Sequence, residues 1–209
     1  MQQLWHSFWF TKGVKNESSF MSFLLRSAVY LMIFFVFLSF SKPAEEVAAQ
    51  SYIEQYYELA VVEMHRSGIP ASIILAQALH ESQYGMSELA TEANNHFGIK
   101  CKSYWVGKTY YHKDDDLNKE GQLIESCFRS YGSALESYVD HSNFLMSTTH
   151  YLPLFNYDHT DYKAWASGLK NCGYATDQRY AQKLITKIEK YDLAKFDAWE
   201  NPYRLIMGN

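Results

Sequence analysis

Glu81 is the first residue in this chain whose type and setting suggest chemistry. It closes the apolar run of Ala78-Leu79-His80-Glu81-Ser82-Gln83-Tyr84-Gly85, and Ile74, Ala78 and Glu81 share one helical face by i, i+4, i+7 spacing. A carboxyl that leaves a helix beside buried apolar residues is partly desolvated. That raises its pKa and keeps it protonated near neutral pH, as a general acid requires, and the negative end of the helix dipole acts in the same direction. A solvated glutamate at a helix end is the plainer alternative, and one Glu alone does not separate the two. Other chemistries fail on spacing. His80-Glu81 is not a zinc-protease motif, because position 84 is Tyr rather than the second His. His65, His96, His112, His141, His150 and His159 show no metal-ligand spacing, so neither metal nor cofactor is expected. No G-x-S-x-G or P-loop occurs, and Cys172 has no recognisable base beside it, which reads as a structural thiol.

The elements that must hold such a carboxyl come from a chain of 209 residues with net charge −4. That length allows one ordinary domain plus an additional segment. The acidic balance leaves no basic footprint for nucleic acid. Hydrophobic residues at 47% against 20% charged exclude a disordered chain. Aromatic residues reach 17%, led by 17 Tyr; rings with a polar tip suit a groove that binds a flat-faced polar ligand such as a sugar, or else half-buried helix packing.

The fifteen residues between Arg26 and Lys42 carry no charge. This is short of the roughly 20 a spanning helix needs and matches the apolar part of a secretory signal, with Lys12, Lys15 and Arg26 upstream. Met21 is a second candidate start. Val47-Ala48-Ala49 offers a processing site before Gln50, and Ser39-Phe40-Ser41 offers another. An uncleaved N-terminal anchor is the alternative, and either way the remainder is exported. Residues 1–49 are therefore assigned to export, 50–197 to the folded domain and 198–209 to a C-terminal tail.

Within the folded part, helical stripes predict helices at Tyr52–Arg66, from Pro70 to Gly85 and at Ser87–Ala93. Asn94-Asn95-His96-Phe97-Gly98 is turn chemistry. Lys108–Lys113 and Gln122–Arg129 read as two strands around a polar loop. Helices resume at Ser133–Ser147, Asp161–Lys170 and Asp177–Tyr191. This order describes a mainly α, α+β domain.

Five strings in order make a more specific pattern. Ala78-Leu79-His80-Glu81-Ser82-x-x-Gly85 resembles the catalytic helix of the glucosaminidases of glycoside hydrolase family 73, A-x-x-E-S-x-x-G. Asn94-Asn95-His96-Phe97-Gly98-Ile99-Lys100, Cys127-Phe128-Arg129-Ser130-Tyr131, Ser137-Tyr138-Val139-Asp140-His141 and Gly173-Tyr174-Ala175-Thr176-Asp177-Gln178-Arg179-Tyr180-Ala181 are similar to further motifs of that family. The resemblance implies a lysozyme-like fold, with a helical lobe and a small β-hairpin lobe over a substrate groove. It also implies endo-type hydrolysis of the β-1,4 bond after N-acetylglucosamine in peptidoglycan glycan strands. A monomer is expected, meeting the membrane only through an uncleaved N-terminal segment.

By the same resemblance Glu81 is the general acid and Tyr174 lines the cleft opposite it, while Phe97, Trp105 and Asn95 are expected to bind substrate. Phe97 could instead plug the core beneath the hairpin. Relatives place a second acid, often Glu, on the hairpin; this chain has Asp114-Asp115-Asp116 there, with Asp115 favoured and Asp116 next. A base acting through water would give inversion, with carboxyls roughly 6.5–9.5 Å apart, whereas attack by the substrate's acetamido group would give retention. Cys101 and Cys127 flank the hairpin's base and are expected to be bridged, leaving Cys172 free. A lytic transglycosylase or muramidase of the same superfold, and a non-catalytic glycan-binding module, remain as alternatives.

Overall fold

The computed structural model describes residues 43–201, apart from the side chains of Asp115 and Asp116. Residues 1–42, where the export segment was expected, and the end of the expected tail from residue 202 lie outside the described residues. The first helix, α1 (Ala44–Ser67), follows Pro43 and carries Glu45 and Glu46 in its first turn, where acids complement the helix dipole. It starts eight residues before Tyr52, so it runs through the expected boundary at Gln50. Ala49 is fully buried, and Glu45 accepts hydrogen bonds from the Tyr84 hydroxyl (2.6 Å) and Lys190 Nζ (3.2 Å).

Helix α2 (Ala71–Glu81) is the axis of the helical lobe. Every residue from Ala71 to Leu79 is buried, which marks a helix surrounded by others rather than one lying on a surface. Its start is held by Asp197, whose carboxylate accepts from the Ser72 amide (2.8 Å) and hydroxyl (2.7 Å). The short α3 (Glu88–Ala93) is capped by Ser87 and ends at Asn94, in the left-handed region at φ 50°. The antiparallel hairpin follows, β1 (Thr109–Leu117) and β2 (Leu123–Arg129), in the register Thr109↔Arg129 to Lys113↔Glu125, with an irregularity before Leu117↔Leu123. Residues 99–101 run beside β2, through Arg129 N–H to Ile99 O and Cys101 N–H to Cys127 O.

The lobe is completed by α4 (Ala134–Ser147), α5 (Tyr162–Asn171) and α6 (Tyr180–Lys190), with 3-10 helices at Thr149–Asn156 and Leu193–Ala198. Beyond residue 197, Trp199 packs on Tyr57 and Phe196, and its carbonyl is hydrogen-bonded to His65 Nε2 at 2.8 Å. The expected tail thus begins as part of the packed domain.

Cys101 and Cys127 form a disulfide across 26 residues of sequence, with Cα atoms 5.3 Å apart, and Cys172 is free. Closing a loop of that length contributes about 3–4 kcal/mol in the chain-entropy account. Thiol labelling of denatured, unreduced protein should find one reactive cysteine; three would refute the bridge.

Candidate active site

Glu81 is aimed by the way its helix ends. The Ser82 hydroxyl donates back to Ala78 O (2.6 Å) and accepts from the Gly85 amide (2.7 Å), so one side chain ties off both sides of the terminus. The chain then turns through left-handed Gln83, Tyr84 and Gly85 (φ 52°, 62° and 81°). A Cβ on Gly85 would stand 2.7 Å from the Tyr52 ring, so only glycine fits. The E-S-x-x-G string is therefore a helix stop that leaves Glu81 as the last helical residue, rigidly held.

The carboxyl of Glu81 is largely enclosed by protein. Burial, its main influence, pushes its pKa up to about 7; the Tyr180 hydroxyl and the Lys183 charge pull it back, and the Asp114 charge raises it further. The Tyr180 hydroxyl donates to Glu81 Oε1 at 2.9 Å and accepts from Gln77 Nε2 at 3.0 Å. A chain Gln77–Tyr180–Glu81 thus fixes the carboxyl on a framework buried at both other members. Tyr180 lies in the last of the five family-like strings, and its place three residues after Asp177, opening an amphipathic helix, is the signal in the sequence for this position.

Glu81 lines a groove of about 540 Å³, together with Phe97, Lys100, Tyr104, Tyr151 and Tyr174. Phe97 serves both readings made of it: it is 3% exposed, stacks on His141 at 3.9 Å and still forms part of the groove wall. Tyr174 stacks on Tyr180 at 5.5 Å. Its pKa is raised well above the ordinary tyrosine value, by burial first and by the Glu81 charge second. Among the described residues nothing hydrogen-bonds its hydroxyl.

Asn95 and Trp105 stand elsewhere. Asn95 is 1% exposed, and its amide is spent on backbone: Nδ2 donates to Ile99 O and Arg129 O, and Oδ1 accepts from the Ile99 amide. It shapes the turn beneath the groove. Trp105 stacks on the Arg129 guanidinium at 4.7 Å and donates to Lys108 O; the aromatic that this loop gives to the groove wall is its neighbour Tyr104. On the hairpin, Asp114 Oδ2 lies 2.9 Å from the groove residue Lys100, and its charge reaches Glu81. The side chains of Asp115 and Asp116 lie outside the described residues.

Tyr180→Phe should therefore do more than trim a contact. It frees one side of the Glu81 carboxyl, removes an influence that lowers its pKa, and leaves Gln77 Nε2 buried without an acceptor, at a cost of about 1–3 kcal/mol. The alkaline limb of the pH–rate profile should move upward as turnover falls. Tyr174→Phe, by contrast, should lower turnover with the melting temperature and pH limb unchanged. Identical pH profiles for Tyr180→Phe and wild type would remove Tyr180 from the site.

With this geometry in place, comparisons with known proteins give consistent findings. A family model described as glucosaminidase (mannosyl-glycoprotein endo-beta-N-acetylglucosaminidase) matches residues 57–193. The exo-glucosaminidase LytG of Bacillus subtilis is 32% identical over 199 residues, covering 89% of this chain and 69% of LytG. Peptidoglycan hydrolase FlgJ of Escherichia coli is 31% identical over 147 residues, 68% of this chain and 46% of FlgJ, so the chain spans about half of that relative. Among solved structures, the catalytic domain of the autolysin Auto from Listeria monocytogenes matches with a TM-score of 0.64 at 29% identity, covering 75% of this chain and 89% of that one.

Proposed function

This chain belongs to the glucosaminidase family of glycoside hydrolases, and from that premise we propose that it cuts the β-1,4 bond after N-acetylglucosamine within peptidoglycan strands. The observation that carries this reading is Glu81. It is a carboxyl whose pKa burial pushes up to about 7, at the wall of an aromatic groove and anchored by Tyr180, so a share of it carries a proton near neutral pH. Such a group donates its proton to the departing oxygen as the glycosidic bond breaks. Tyr104 and Tyr174 supply ring faces for the sugars, and Phe97 backs the groove wall from the core.

The hairpin triplet supplies the second carboxylate. Asp115 and Asp116 remain assigned to that role, and Asp114 joins them because its charge reaches Glu81 and its carboxylate pairs with Lys100 of the groove wall. Tyr174, with a hydroxyl not engaged by described residues, orients the acetamido group or the attacking water. Single Asp→Asn replacements at the three positions identify the member whose loss removes turnover.

Mass spectrometry of products from purified cell walls tests the reaction. N-acetylglucosamine at the new reducing ends is expected. Anhydromuramic or N-acetylmuramic acid ends would make the enzyme a transglycosylase or muramidase, and absence of turnover would leave a binding module. Long early fragments fit the endo mode proposed. A second reading, release of end units, is favoured by the likeness to LytG, named an exo-glucosaminidase, and early release of disaccharides would select it.

The site of action proposed is the cell envelope, reached by export, with the domain working as a monomer. Among the described residues no helix is long and apolar enough to cross a membrane. The burial of Ala49 and the contacts of Glu45 support processing after Ser41 rather than before Gln50, since removing residues 44–49 would strip the first turns of α1 from the fold.

A further inference from the structure

A second cleft adjoins the catalytic carboxyl. It encloses about 490 Å³ along α6, and its walls include His80, Arg179, Lys183, Lys187, Lys190 and Glu45. His80 and Glu81 are consecutive residues that open on different clefts, and Tyr180 touches both: its ring lies 5.8 Å from that of His80 and its hydroxyl bonds Glu81. Lys183 is near enough for its charge to act on Glu81. In a chain of net charge −4, this concave surface brings four cations together. Lys183 is held by Asp177 (2.6 Å) and Lys190 by Glu45 (3.2 Å). Arg179 and Lys187 make no ion pair with a described residue. Lys187 lies over the Tyr84 ring at 4.4 Å, donates to its hydroxyl at 2.8 Å, and is half desolvated. A desolvated cation gains most from a ligand that brings a carboxylate or phosphate.

We infer that this cleft binds the carboxylates of the peptide stems borne by the strand that is cut at Glu81. The inference rests on the peptidoglycan reading above. With His80 next to Glu81 in sequence and the Lys183 charge acting on it, this cleft is placed to take a charged branch of the strand being cut. N-acetylglucosamine itself is uncharged, whereas the muramic acid beside it carries a peptide with free carboxylates. Arg179 and Lys187 would receive them, and Glu45 at the wall suits an amino group on the same stem.

Binding to soluble strands with intact stems, and to the same strands after amidase removal of the stems, tests this in a Glu81→Gln background. Cleavage is not read, so failure of hydrolysis and failure of stem recognition are separate results. About tenfold tighter binding of stem-bearing strands is expected, shrinking as salt is raised. Arg179→Gln/Lys187→Gln should abolish that preference and leave stem-free binding unchanged. Should the double variant fold poorly by circular dichroism, Arg179→Gln alone, at an exposed position, should lose at least half the preference. Equal affinity for both strands, or a preference the variants retain, overturns the inference. So does tighter binding of stem-free strands bearing teichoic acid, which would give the cleft to phosphate.

Discussion

Glu81→Gln is expected to lower turnover on cell-wall glycan by about 10²–10⁴ while strand binding persists. The departing sugar oxygen is too basic to leave unprotonated. Glutamine keeps the shape of the side chain and can still accept from Tyr180, but it has no proton to give. The same change acts on stability with a definite sign. Burial holds the folded-state pKa of Glu81 near 7, above the ordinary carboxylate value, so the folded state binds this proton more tightly than the unfolded chain. Its contribution is fully present below about pH 4.5 and is lost as pH rises through 7. The variant should therefore melt higher than wild type at pH 8, by less than roughly 3 kcal/mol in stability, with the advantage gone near pH 4. Zymography and thermal melts at the two pH values check both halves. Wild-type clearing by a folded Glu81→Gln protein would place the proton donor elsewhere.

The helices that build the lobe were legible because their apolar positions recur with a helical period. α2 is the clearest case, with Ile74, Leu75, Ala78 and Leu79 all fully buried. Two kinds of element escaped. The start of α1 hid behind an apparent processing site, since Val47-Ala48-Ala49 is as good a helix as it is a cleavage signal. The 3-10 segment Thr149–Asn156 contains Pro153, which reads as a breaker, and a 3-10 turn lacks the period that announces an α-helix.

Glu81 was legible because helical geometry predicts which face an i, i+4, i+7 residue shares. Asn95 and Trp105 sit in turns, where spacing carries no direction. Asn95 points inward, satisfying three backbone groups, and Trp105 turns to the Arg129 guanidinium while Tyr104, of which nothing was expected, lines the groove. Tyr180 escaped for another reason. Its partner is 99 residues away, and only the packing of α6 against α2 brings the two together.

Arg129 and Asp140 tie the end of the hairpin to α4, and Asp140→Asn should show how much that pair contributes. Arg129 ends β2 with its side chain only 4% exposed, its Nη1 2.7 Å from Asp140 Oδ2. The Tyr131 hydroxyl donates to the same oxygen at 2.6 Å, and Trp105 and Tyr104 flank the guanidinium. Asparagine leaves that cation buried with no anion. Breaking a buried pair from one side costs about 3–5 kcal/mol, and the 23% exposure of Asp140 reduces this to roughly 2–4 kcal/mol. The melting temperature should fall by about 5–15 °C. Asp140 does not line the groove, so lost turnover in this variant would report the hairpin's placement relative to Glu81, and should recover on cooling. Removing both charges with Arg129→Met/Asp140→Leu should restore much of the stability, because the cost lies in the orphaned cation rather than in the lost attraction. A single variant that melts like wild type would mean that Trp105, Tyr104 and the backbone bonds of residues 99–101 hold the lobe without the pair.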